Sequence, residues 1–240
     1  MNGNKNLLMA RYYVGGLIAT QADTHYRATH RILNKIPDTY KAPQTIDNRG
    51  TCTQLEDQQN TPECAAFSCT TLIESIGWKR THIPIQLDPH KLYAEAKQVD
   101  MDDEDGTTFT SVFAGAKKLG WIPQESKLYS VENFKEYLYA IHEYDFCLLG
   151  FDVSSSWADT KYDGWVRLSG NRLGGHAVVG CNFEAFNNNG LDFAGFRNSW
   201  GDWGAKGFGR INRDDFEASF IGGAAIYIPE TENQFLPQEV

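Results

Sequence analysis

The chain has 240 residues and a formal net charge of −9, with 41% apolar, 13% aromatic and 22% charged residues. That is material for one large domain or for two lobes sharing a cleft. The acidic balance disfavours nucleic acid and anionic membrane as partners, and no apolar run nears the roughly eighteen residues of a membrane span.

In chain order, Met1–Lys5 leads into a short apolar stretch broken by Gly15-Gly16, which does not read as a secretory signal. The first 45 residues form an arm with apolar patches at Tyr12-Tyr13-Val14, Leu17-Ile18, Ile32-Leu33 and Ile36-Pro37. Thr61-Pro62 reads as an N-cap followed by proline at the first helical position, opening a helix to about Gly77. Asp105-Gly106-Thr107-Thr108 precedes a second helix from Phe109 to Leu119, with Phe109, Val112, Phe113, Ala116 and Leu119 at helical spacing and Gly120 as its stop. Ser130 introduces a third, with Phe134, Leu138 and Ile141 on one face. The pattern then turns to strands at Phe146–Val153, His176–Phe183, Leu191–Asn198, Gly207–Ile211 and Ala224–Ile228, separated by turns such as Asn187–Gly190. Helices first and strands later predict an α+β protein, with a helical lobe over about residues 61–142 and a β-rich lobe over about 146–228.

Five cysteines (Cys52, Cys64, Cys69, Cys147, Cys181) leave at least one unpaired, and none stands in a C-x-x-C pair or at metal-ligand spacing with histidine. Cys147 and Cys181 lie in apolar runs and read as buried inert thiols. Reducing, cytoplasmic conditions are the simplest expectation. The acidic run Asp100–Gly106 fails as a calcium loop: setting Gly106 at the sixth position puts Met101 at the first ligand position and Val112 at the twelfth. It reads as a solvated loop, and no metal site is expected.

Chemistry concentrates in Gln58, Cys64, His176 and Asn198. Cys64, near the start of the first helix, faces unpaired N–H groups and the positive end of the macrodipole, which favour a thiolate. The adjacent Glu63 carboxylate would act in the opposite sense. Cys69 lies deeper in the helix, where the dipole fades, and reads as structural. Gln58 could aim an amide N–H at an oxyanion beside the Cys64 N–H. His176 follows Gly174-Gly175. The Asn198 side-chain carbonyl can accept an imidazole N–H and fix its tautomer, while Trp200 shields that bond. In this order a thiol, an imidazole and an amide are the parts for nucleophilic attack on a carbonyl.

These segments resemble the papain-like cysteine peptidases, and more closely their disulfide-free bacterial and phage-like members. The resemblance covers roughly residues 45–228. It rests on Gln58, Cys64, Ala66, Phe67 and Ser68, on His176-Ala177-Val178, on Asn198-Ser199-Trp200-Gly201, and on Trp203-Gly204 with Gly207-Phe208. It implies a two-lobed fold with a catalytic domain from about residue 46 to residue 240. It also implies hydrolysis of peptide bonds in a peptide or protein substrate through a Cys-His-Asn triad and a thioester acyl-enzyme, without cofactor. Gly106 would offer backbone hydrogen bonds to the substrate, with Gly175 and Trp200 among the further substrate contacts. The chain departs from the family pattern at Ala65, where tryptophan is usual, at Thr61-Pro62-Glu63, and at the single residue between Gly201 and Trp203. An acyl transferase or cell-wall peptide amidase could use the same triad, and a silent binding module could keep the fold. The arm lies outside the resemblance. Either it packs outside a lobe and extends the core, or part of it crosses the cleft and restrains activity.

Overall fold

A computed structural model describes residues 14–18, 30–186 and 191–230. Met1–Lys5, Tyr12-Tyr13 and the expected turn at Asn187–Gly190 lie outside the described residues.

The first long helix, α1 (Cys64–Thr81), begins and ends later than its sequence signals indicate. Thr61 does not cap it. Its hydroxyl donates to Gln58 O at 2.7 Å and its carbonyl accepts from Gln58 Nε2 at 2.8 Å, so both groups serve the preceding loop. Glu63 takes the N-cap position without a side-chain cap bond, which leaves Pro62 outside the helix. Gly77 is passed through. The helix stops at His82, whose left-handed backbone (φ 55°) returns its N–H to Trp78 O. Cys64 through Gly77 are buried on every face, as suits a central helix.

Helix α2 (Pro89–Asp100) carries a start signal the sequence reading passed over: Asp88 accepts from the His90 and Lys91 N–H groups, with Pro89 at the first position. Helix α3 (Phe109–Lys118) follows where expected, capped by Thr108. Ser130 introduces no helix. It sits in strand β2 (Lys127–Val131) opposite Ala224, and α4 (Phe134–Glu143) is capped instead by Asn133, which accepts the Glu136 N–H.

The other strands are β1 (Thr45–Asp47), β3 (Cys147–Ser154), β4 (Arg172–Phe186), β5 (Leu191–Arg197), β6 (Phe208–Asn212) and β7 (Phe220–Tyr227). A short helix, α5 (Arg213–Ser219), joins the last two. Of these, β1, β2 and α5 had no counterpart in the sequence pattern. The fold is α+β, built on a seven-stranded antiparallel sheet in the order β2-β7-β3-β4-β5-β6, with β1 added alongside β4. Alternation along the strands gives the sheet two cores. Leu148, Ala177, Val179 and Ala224 pack with α1, α2 and α3, while Leu149, Phe151, Val178 and Ala225 pack with α4 and α5. Helix α4, which falls within the range read as the helical lobe, therefore packs with the second core.

Residues 30–47 lie along this second side. Ser130 N–H bonds His30 O at 3.0 Å, Ile32 is fully buried, and the Arg31 guanidinium donates to the buried Glu136 carboxylate at 2.9 and 2.6 Å. The Glu132 N–H and Asn133 Nδ2 complete that carboxylate's bonding. Removing Arg31 would leave that buried carboxylate with only these two neutral donors.

Candidate active site

Cys64 occupies the first turn of α1, fully buried, and meets β4 at its side: the N–H of Ala177, next after His176, bonds toward its sulfur together with the N–H groups of Ala65 and Cys64 itself. These N–H groups lower the thiol's pKa as the helix-start argument predicts. Burial outweighs them and pushes the thiol up to about 12. Glu63 is not among the causes; its carboxylate is engaged by His90 Nδ1 at 2.5 Å. Cys69 is also buried, and burial pushes it up to about 12.

His176 is fully buried on β4, opposite Phe151 of β3. Its Nε2 lies 2.8 Å from Asn198 Oδ1, which also accepts the Ser199 N–H at 2.8 Å. A carbonyl oxygen can only accept, so Nε2 carries the proton and Nδ1 presents its lone pair. Among the described residues Nδ1 has no hydrogen-bond partner. Burial holds this imidazole down to about 4, so at neutral pH the buried thiol and imidazole are both uncharged. Trp200 stacks on the imidazole at 4.5 Å between ring centroids and is 1% exposed. That places it behind the His176–Asn198 bond, as a shield and not on an open substrate face.

Gln58 is locked at the other wall. Ser199 Oγ donates to its Oε1 at 2.7 Å, its Nε2 donates to Thr61 O, and its backbone N–H bonds Ser199 O at 2.8 Å. One of the two Nε2 hydrogens remains for another acceptor. Ser199, passed over in the sequence beyond its place in the Asn-Ser-Trp-Gly block, thus ties Asn198 to Gln58.

Residues 14–18 cross this place. Gly175 O accepts from Gly15 N–H at 2.9 Å and Leu17 N–H at 3.4 Å. Thr107 N–H donates to Gly16 O at 3.0 Å, and Thr107 O accepts from Ile18 N–H at 3.1 Å. Leu17 and Thr107 form a parallel bridge. The backbone groups that pair with residues 16–18 are those of Thr107, the neighbour of Gly106. Gly106 N–H is committed to Tyr93 Oη at 3.1 Å, and its carbonyl accepts from Lys97 Nζ at 3.2 Å. Gly106 serves by close approach: with φ +91° it passes so near that an added Cβ would meet Gly16 O at 2.7 Å. A Cβ on Gly16 would meet Pro62 O at 2.5 Å, and one on Gly175 would meet Leu17 O at 2.5 Å. The Leu17 side chain fills the space left by Gly150 and joins the same core as Cys64. So residues 14–18 cross the cleft, whereas residues 30–47 line the second side.

Among the described residues no group of three or more His, Cys, Asp or Glu side chains is placed to hold a metal ion, and no helix is long and apolar enough to cross a membrane.

No family model and no curated protein matches the sequence. Solved structures do. The procathepsin B of Trypanosoma congolense superposes with a TM-score of 0.69 at 15% identity, covering 91% of this chain and 87% of that one. The ragweed pollen allergen Amb a 11, a cysteine protease in its proform, gives 0.68 at 16% identity over 93% and 77% of the two chains. A stem bromelain precursor gives 0.65 at 18% over 94% and 80%. The fold is that of the papain-like cysteine proteases.

Proposed function

We propose that this chain is a cysteine-type peptidase whose cleft is covered by its own residues 14–18. The observation that carries the reading is the His176 imidazole: Nε2 is given to Asn198 under the Trp200 ring, Nδ1 is left free, and the next backbone N–H turns to the Cys64 sulfur. A base in a fixed tautomer beside a thiol is the requirement for making a nucleophile.

In the reaction, His176 Nδ1 takes the Cys64 proton and the sulfur attacks the substrate carbonyl. The Cys64 N–H and the spare Gln58 Nε2 hydrogen stabilise the oxyanion. His176 then protonates the leaving amine, and water attacks the thioester to release the acid and restore the thiol. No step calls for a metal or organic cofactor. An extended substrate needs Thr107 N–H, Thr107 O and Gly175 O, the groups that Gly15 to Ile18 use. Arm and substrate therefore compete. While the arm is in place, desolvation keeps both reacting groups neutral. Its departure lets water in and brings both pKa values back toward their ordinary ranges. The three solved structures are themselves a pro-enzyme, a proform and a precursor by name, which agrees with a covered state.

The test is a peptide-library cleavage profile run alongside a thiol-directed epoxide probe. Cleaved peptides, with the probe on Cys64 and absent from Cys64→Ala, are the expected result. Labelling no faster than that of an ordinary thiol of equal exposure, with no cleavage, would remove the peptidase reading. New amides or esters in place of hydrolysed ends would move it to acyl transfer.

A further inference from the structure

Away from the cleft, a second pair of sulfur atoms is brought together by the fold. Cys181 lies on β4, five residues after His176. Cys52 ends the short 3-10 turn Arg49–Thr51, six residues before Gln58. Asn48 holds them side by side: its N–H bonds Cys181 O at 3.0 Å and its carbonyl lies 3.8 Å from Cys52 Sγ. The pairing of β1 with β4, with Asp47 opposite Asn182, fixes that register. Cys181 belongs to the first core, and Cys52 packs against that core from its edge.

Three features separate this pair from the remaining cysteines. Cys52 is half-buried, whereas the other four are buried, and a pocket of about 530 Å³ lined by Cys52, Thr53, Trp78 and Ile85 opens beside it. The guanidinium of Arg197, 8% exposed, donates to Lys206 O at 2.9 Å and to Thr53 O, next in sequence to Cys52, at 3.4 Å, while Cys181 Sγ lies 3.8 Å from Gly195 O. Arg197 Nε is buried with no hydrogen-bond partner among the described residues. Arg49 adds a second positive charge that acts on Cys181.

We propose that Cys52 and Cys181 are a hydroperoxide-responsive dithiol, closing a disulfide that staples the segment leading to Gln58 onto the strand that carries His176. The Cys52 thiolate attacks the terminal oxygen of the hydroperoxide. An S–O bond forms, the O–O bond breaks, and the leaving alkoxide takes a proton to become alcohol. Cys181 gives up its proton and attacks the Cys52 sulfur. The S–S bond forms, the S–O bond breaks, and the hydroxyl leaves as water. Two thiols and one hydroperoxide give one disulfide, one alcohol and one water. Burial raises Cys181 well above the ordinary thiol range, so it enters second, after the accessible sulfur has been activated. The inference does not depend on the peptidase reading, because neither sulfur belongs to the catalytic set.

The test uses the full-length Cys64→Ala chain, which removes the competing nucleophile, with hydrogen peroxide as oxidant. After treatment, remaining thiols are alkylated and the chain is digested without reductant for mass spectrometry. Most of the chain should lose two hydrogen masses and yield a Cys52–Cys181 linked peptide that dithiothreitol separates. Adding Cys181→Ser should abolish the linked peptide and leave Cys52 as a sulfenic acid that dimedone traps. Adding Cys52→Ser, a half-buried and nearly isosteric change, should leave Cys181 unoxidised. Accumulation of Cys52 sulfinic acid beside a free Cys181 thiol would overturn the proposal. So would linked peptides joining Cys52 to Cys69 or Cys147, or to a second chain.

Discussion

Two kinds of polypeptide meet in the cleft. Side chains hold the walls: Asn198 to His176, Ser199 to Gln58, Gln58 to Thr61 and Trp200 over the imidazole. The strap at residues 14–18 is held by main chain, through four backbone hydrogen bonds and close passes over glycine, with Leu17 as its anchoring side chain. Chemistry carried by side chains must recur as named residues at fixed places. A strap carried by backbone needs only room. A sequence therefore announces the walls and nearly conceals the strap, and the two should respond oppositely to substitution.

The largest effect belongs to the walls. Cys64→Ala and His176→Ala should each lower kcat by on the order of 10⁴–10⁶ while the chain stays folded by circular dichroism. Comparable turnover in Cys64→Ala would move the nucleophile elsewhere, with Cys69 the first place to look. Next, Gln58→Ala should lower kcat by on the order of 10²–10³, as loss of one oxyanion donor does. Asn198→Ala should cost less than loss of Cys64, because it orients the base without transferring a proton. Equal losses in folded Asn198→Ala and Cys64→Ala would break that division.

The strap predicts the opposite sign. Gly16→Ala drives a methyl into Pro62 O without touching a catalytic group, and Leu17→Asp removes a buried anchor worth about 1.5–3 kcal/mol. Since about 1.4 kcal/mol is tenfold, either change should raise kcat/KM roughly ten- to hundredfold where the closed form dominates. A fall in kcat/KM, with a lower Tm, would make the strap a structural element only.

The proton linkage of the closed state sharpens the comparison further. His176 is depressed to about 4, so its contribution to closure is present above its ordinary 6.5 and lost as pH falls from there through 4. Cys64 is raised to about 12, so its contribution is present below its ordinary 9 and lost as pH climbs toward 12. Protection of Cys64 from a disulfide reagent, measured relative to Gly16→Ala, should peak between about pH 6.5 and 9. A protection ratio flat from pH 4 to 6.5 would detach closure from His176, and one that stayed flat above pH 9 would detach it from Cys64.

The site was legible because its four residues sit in short, spaced contexts, and the structure brings Asn198 against His176 as expected, while the Ser199 bond to Gln58 had no signal of its own. What escaped had physical causes. Thr61-Pro62 has the chemistry of a helix start, but Gln58 competes for both polar groups of Thr61 and delays α1 to Cys64. Ser130 resembles a cap, yet its partner is Ala224 across the sheet, a contact nearly a hundred residues away that no local pattern reports. Gly174-Gly175 read as a flank to His176, whereas its tight fit is to Gly15 and Leu17. The dipole at the helix start acts on Cys64 as expected, but the core that buries the thiol makes desolvation the larger effect.

The smallest predicted effect lies in the helical wall and should leave the cleft untouched. Glu74, on α1 and 1% exposed, accepts from Leu87 N–H at 2.6 Å and from Thr53 Oγ1 at 3.0 Å. Burial nonetheless raises its carboxyl to about 7. A raised carboxyl favours the fold below its ordinary value near 4.5, and that contribution disappears as pH rises through 7. Glu74→Gln keeps an acceptor for the Leu87 N–H and removes the charge. Its stability relative to the parent should therefore improve by roughly 1–3 kcal/mol between pH 5 and pH 8, read from Tm at each pH, with kcat/KM unchanged. Glu74→Ala, which leaves the Leu87 N–H without its partner, should lose stability at both pH values. If Glu74→Gln instead tracked the parent at every pH, the buried carboxylate would be fully compensated by its two donors, and burial would not govern its proton.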